Sequence, residues 1–100
     1  MIELSLNGDT LTARLQGEID HHSAAELRRE IDERIEGELP TILCLDFGGV
    51  TFMDSSGIGL IMGRYRSMQA IGGQVVVQNT SNRLLKVMRL AGLERLVKFQ

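Results

Sequence analysis

One hundred residues, 43% of them apolar and 24% charged, suit one domain whose core buries roughly 65% of the unfolded surface. A formal net charge of -2 argues against nucleic acid as the main partner, because a phosphate backbone calls for clustered Lys and Arg. The lone cysteine, Cys44, excludes an internal disulfide; no apolar run approaches the about 18 residues of a membrane span, and no signal-peptide pattern opens the chain, so a cytoplasmic protein is expected.

Ile2, Leu4 and Leu6 alternate with polar residues, as do Leu11, Ala13 and Leu15. This period of two predicts two strands with one wet face each, joined through Asn7-Gly8 as a tight hairpin. Ser23-Ala24-Ala25-Glu26 reads as a capping box, with Asp20-His21-His22 a polar loop before it. Leu27, Ile31 and Ile35 then recur every fourth residue, predicting an amphipathic helix of about four turns that stops near Gly37. Ile42 to Leu45 is continuously apolar, which predicts a central strand covered on both faces and an inert, buried Cys44. Asp46-Phe47-Gly48-Gly49 leaves that strand, and a second apolar segment runs from Val50 to Met53.

A helix is expected from Ser55 to Ala70, with Ile58, Ile61, Met62, Tyr65 and Met68 facing the core and Gly72-Gly73 as its end. Val75-Val76-Val77 predicts another buried strand. Ser81 or Asn82 caps a short helix from Arg83 to Ala91 with an apolar stripe of Leu84, Leu85, Met88 and Ala91, stopped by Gly92. Leu96, Val97 and Phe99 suit a short last strand. Strands separated by helices imply parallel pairing through right-handed crossovers, with the first hairpin as an antiparallel addition: an α/β fold.

Asp54-Ser55-Ser56-Gly57 is the segment that carries chemistry. Asp54 and Ser55 both suit a helix N-cap, where a short side-chain oxygen satisfies a free amide, and a cap alone would explain them. Two adjacent hydroxyls exceed what a cap needs, however. Gly57 and Gly59 each weaken the first turn by up to about 1 kcal/mol relative to alanine, and small residues there let another backbone come close. A phosphate on such a turn is tolerated by the fold, since free N–H groups and the macrodipole favour an anion. Its charge of about -1.5 to -2 beside Asp54 would leave a packed partner facing a badly paired dianion.

The other motifs are weaker. Gly57-Ile58-Gly59-Leu60-Ile61-Met62-Gly63 is spaced G-x-G-x-x-x-G, one residue too long for a dinucleotide fingerprint. Met53-Asp54-Ser55-Ser56-Gly57 lacks the first glycine of the G-x-S-x-G elbow, and His21 or His22 precedes the serine, so a serine hydrolase is disfavoured. Two histidines at adjacent positions on extended chain point to opposite faces and chelate zinc poorly. If the strands before them run parallel, the loops at Asp20-His21 and at Ser55 share a rim. Arg28-Arg29 and Arg83, Lys86 and Arg89 read as solvated helix faces, whereas Arg64 and Arg66, beside a core-facing Tyr65, are candidates to meet a partner.

Four blocks in order, Gly17-Glu18-Ile19-Asp20-His21-His22-Ser23-Ala24, Phe52-Met53-Asp54-Ser55-Ser56-Gly57-Ile58-Gly59, Gly63-Arg64-Tyr65 and Ile71-Gly72-Gly73, span nearly the whole chain. Together they resemble the STAS-domain anti-sigma factor antagonists, of the stage II sporulation protein AA type. The resemblance implies one STAS domain over residues 1–100: a small mixed β-sheet with an antiparallel N-terminal hairpin, the remaining strands parallel, and helices packed mainly on one side. It implies a regulator of transcription in sporulation by partner switching, and no enzyme. The unphosphorylated form would bind an anti-sigma factor, itself a serine kinase with bound nucleotide, and free the sigma factor. The kinase would phosphorylate Ser55, and a PP2C-type phosphatase would restore the hydroxyl. Asp20, His21, Asp54, Ser55, Ser56, Gly57 and Ile58 would form the partner surface. No cofactor, metal, nucleic acid or membrane is implied. Members of this type often carry a further C-terminal helix, whereas this chain stops at Phe99-Gln100. The alternative reading is a non-switching STAS scaffold or ligand-binding module of a signalling complex.

Overall fold

The computed structural model describes residues 2–100. Strands β1 (Ile2–Asn7) and β2 (Thr10–Ile19) form the expected hairpin, with Gly8 at φ 62° in its turn. Then follow α1 (His21–Glu38), β3 (Ile42–Met53), α2 (Ser55–Ala70), β4 (Gln74–Gln78), α3 (Asn82–Leu90), a single 3-10 turn at Leu93–Arg95, and β5 (Lys98–Phe99). The strands lie in the order β1-β2-β3-β4-β5; β1 pairs antiparallel with β2, and every later pair is parallel. This is the mixed α/β sheet that the alternation of elements predicts.

One hydrophobic cluster joins Leu11, Ala13 and Leu15 of β2, Leu43, Leu45 and Phe47 of β3, and Val75 and Val77 of β4 to the buried residues of all three helices. The helices therefore share one face of the sheet. The expectation that the Ile42–Leu45 stretch is covered on both sides needs correction. Cys44 and Val76 point to the other face, where they are buried by neighbours such as Thr12 and Gln78 in a shallow groove. Burial, and secondarily Asp46, push the Cys44 thiol up, so it stays protonated and inert.

Four boundaries differ from the sequence reading. Asp46 to Gly49 does not leave the strand: β3 is continuous over twelve residues. It stays so because Asp46 Oδ1 accepts the Gly48 amide at 2.8 Å while Oδ2 accepts from Asn79 at 3.0 Å and Gln78 at 3.3 Å, and because β2 shifts register opposite it. Helix α1 runs past Gly37 to Glu38 and closes at Leu39, whose N–H reaches Ile35 O at 2.9 Å from a left-handed φ of 48°. The last strand is only Lys98–Phe99, since Val97 turns into the core. Helix α3 is capped by Ser81, whose Oγ accepts the Leu84 amide at 3.2 Å; it ends at Leu90, with Ala91 exposed and off the buried stripe.

The core line of α2 also differs. The residues buried are Gly57, Leu60, Ile61, Arg64 and Met68, while Ile58, Met62 and Tyr65 are half-buried. The spacing is still helical, but glycine and arginine hold two of its innermost positions. Arg64, expected to meet a partner, is 4% exposed and lies against α1, with Nε 2.9 Å from Asp32 Oδ1. The N–H does not point along that line, so the pair is ionic without a well-aligned hydrogen bond. Desolvation pulls the guanidinium pKa down while Asp32 holds it up. Arg66, by contrast, is exposed.

Candidate functional site

Strands β2 and β3 are parallel, and their last residues, Ile19 and Met53, are register partners. One residue further on, each strand enters a helix through an aspartate. The two turns are tied directly, because the Asp54 amide donates to Ile19 O at 3.1 Å. Asp20 and Asp54 thus stand side by side at the N-termini of α1 and α2, on the shared rim that the sequence reading made conditional on parallel strands.

At the first turn the capping box is real but lies three residues upstream of its predicted place. Asp20, not Ser23, is the N-cap: its Oδ1 accepts the Ser23 amide at 2.8 Å, and Ser23 Oγ accepts the Asp20 amide at 3.0 Å and donates to Glu18 O at 3.0 Å. His21 and His22 consequently belong to the first turn of α1, not to a loop, and both are exposed. The Ser23 amide, then its hydroxyl, holds the Asp20 carboxyl below the usual carboxylate range.

At the second turn Asp54 is the cap, with Oδ1 accepting the Ser56 amide at 2.7 Å, and the Gly57 amide closes on Asp54 O at 3.0 Å. Ser55 is exposed at the first helical position and Ser56 half-buried; among the described residues neither hydroxyl forms a hydrogen bond. The cap is therefore complete without them. Ser55 Oγ stands at a helix N-terminus, free to react with or donate to an incoming group.

The two glycines separate. Gly57 is buried, and a Cβ there would collide with the Met53 side chain. Its smallness serves the protein's own packing against Met53. Gly59 is exposed with nothing within 4 Å of an added Cβ. Ile58 is half-buried beside Ser55. Past Met53, sequence reasoning missed a groove of about 430 Å3 between the end of β3 and α3, where Phe52 is 45% and Val87 41% exposed. The available signal was Phe52 at an outward position of its strand. Among the described residues no cluster of three or more His, Cys, Asp or Glu could hold a metal ion, and no helix is long and apolar enough to cross a membrane.

The architecture is a five-stranded mixed sheet with three helices on one face and an Asp-Ser-Ser-Gly turn on its rim. The sequence pattern of the STAS domain family matches residues 1–100, and the chain belongs to that family. It is 38% identical over 85 residues to an anti-sigma F factor antagonist of Lysinibacillus sphaericus, a span of 85% of this chain and 73% of the relative. The solved structure of the anti-sigma factor antagonist SpoIIAA in its unphosphorylated form matches at a TM-score of 0.80 and 31% identity, over 100% of this chain and 87% of that one. The Bacillus cell fate determinant SpoIIAA in its phosphorylated form matches at 0.79 and 33% identity, over 100% and 91%.

Proposed function

We propose that this chain is a cytoplasmic anti-sigma factor antagonist switched at Ser55. Unphosphorylated, it binds an anti-sigma factor through the rim of Asp20, His21, Asp54, Ser55, Ser56, Gly57 and Ile58, and so releases a sigma factor. The anti-sigma factor acts as the kinase: Ser55 Oγ attacks the γ-phosphorus of its bound ATP, the bond to ADP breaks, and the hydroxyl proton passes to a base of the kinase. A PP2C-type phosphatase hydrolyses the ester and restores the hydroxyl. The antagonist is a substrate and a binding module, not a catalyst, over the single domain of residues 1–100.

The observation that carries this reading is the idle Ser55 hydroxyl beside a cap already completed by Asp54. A phosphate there sits at the positive end of the α2 dipole and changes surface charge without asking the helix to move. The near-equal likeness to unphosphorylated and phosphorylated relatives supports a switch of charge within one fold. Incubation with the cognate anti-sigma factor and ATP, followed by peptide mapping, tests it. Phosphate is expected on Ser55; its appearance on another residue, or on none, would sink the assignment.

A further inference from the structure

Strand β3 outlasts its neighbour on one side. Strand β2 accompanies it to Met53, but β4 pairs with it only over Ile42–Asp46. Beyond that, Asn79 at a left-handed φ of 59° turns the chain away, its Cβ 3.4 Å from where a Cβ of Gly48 would stand. From Val50 to Met53 the β4 side of β3 therefore carries no strand among the described residues. The Asp54 amide bonds toward β2, at Ile19 O. The peptide group of Met53, the residue before it, then faces the opposite, open edge, while the pairing with β2 shifts register at Thr51.

That edge does not face bulk water alone. It forms one wall of the groove of about 430 Å3 whose other wall is α3, with Leu84 buried below and Val87 exposed above. Arg83 is the one charged residue lining it. An unpaired edge with apolar side chains and a single cation beside it suits an extended segment bound by strand addition. Met53 lines this groove, stands two residues before Ser55 and packs against Gly57 in the first turn of α2, so the groove ends close to the Ser55 turn.

We infer that the Thr51–Met53 edge accepts an extended segment of the protein that covers Ser55, an added strand in which apolar side chains alternate with carboxylates. The inference rests on the proposed antagonist function and names a second half of its contact. Main-chain bonds to Met53 supply the grip, Phe52 and Val87 take the apolar side chains, and Arg83 meets a carboxylate. Phosphorylation at Ser55 then disturbs only one part of a two-part interface.

The test uses the whole chain and the purified cognate anti-sigma factor with bound ADP. Residue-resolved hydrogen exchange of the complex is expected to show the Met53 amide slowed at least tenfold relative to the free protein. Arg83→Glu and Val87→Glu, on α3 and clear of the strand, are expected to weaken binding about fivefold to tenfold with an unchanged melting temperature. If the native chain binds and Ser55→Asp abolishes binding, yet the Met53 amide exchanges as in the free protein and the α3 variants bind normally, the strand-addition inference falls and the antagonist reading stands. If the native chain does not bind the anti-sigma factor, both fall. Protection that appears without partner and rises with protein concentration would assign the edge to a second copy of this chain and overturn the inference.

Discussion

The two strand-to-helix turns at Asp20 and Asp54 leave neighbouring strands at register-matched positions, and both are capped by an aspartate. They differ in what they do with serine. Ser23, at the third helical position, is consumed by the cap: it takes the Asp20 amide and gives its proton to Glu18 O. The equivalent position of the second turn is Gly57, buried under Met53, and the serines have moved to the first two helical positions, where the backbone asks nothing of their hydroxyls. A hydroxyl fixed by two hydrogen bonds must break them before it reacts; an exposed one with none is available at once. The same local chemistry thus spends its serine hydroxyl at one turn and leaves two idle at its neighbour.

The largest effect expected from breaking this contrast is on binding. Ser55→Asp should weaken the complex with the anti-sigma factor by about a hundredfold, near 3 kcal/mol, in calorimetric titration, while Ser55→Ala binds but takes no phosphate. Equal binding by native, Asp and Ala forms would contradict the switch. Next is Gly57→Ala, which forces Met53 out of place and should cost about 1–3 kcal/mol in denaturant unfolding, as overpacking does. Ser23→Ala should cost about 1 kcal/mol by opening the capping box and leave phosphorylation of Ser55 unchanged in a kinase assay.

Smaller effects sharpen the comparison. The Asp20 carboxyl is held below its ordinary value, so its cap stabilises α1 fully above about pH 4 and loses that contribution as pH falls through the depressed folded value. The gap in melting temperature between the native chain and Asp20→Asn should therefore shrink on acidification; a constant gap from neutral pH to pH 2 would refute the role. Smallest, Gly59→Ala should add up to about 1 kcal/mol of stability, because it meets open space and improves helix propensity.

Much of this was legible in the residues. Alternation over Ile2 to Leu15, the four-residue recurrence of Leu27, Ile31 and Ile35, and glycine at Gly8 and Gly92 fixed the order and type of the elements, because periodicity and positive φ are local properties. The Asp-Ser-Ser-Gly turn stood out for the same reason. What misled local reading were residues whose partners lie far along the chain. Arg64 reads as a surface cation until Asp32 of α1 is packed against it, and Asp46 reads as a strand end until Gln78 and Asn79 satisfy its carboxylate. Asp20 reads as a loop residue because its bond to Ser23 competes on equal terms with the Ser23–Glu26 pattern.

By itself, then, the sequence determined the elements, the mixed pairing and the Asp-Ser-Ser-Gly turn on which the proposed function rests, since each follows from spacing within a few residues. Only the tertiary structure decided which hydroxyls are idle, that Gly57 serves Met53, and that β3 runs on past β4 to leave an open edge beside Ser55. Those are statements about which groups find partners, and a group's partner is set by the strands and helices folded against it.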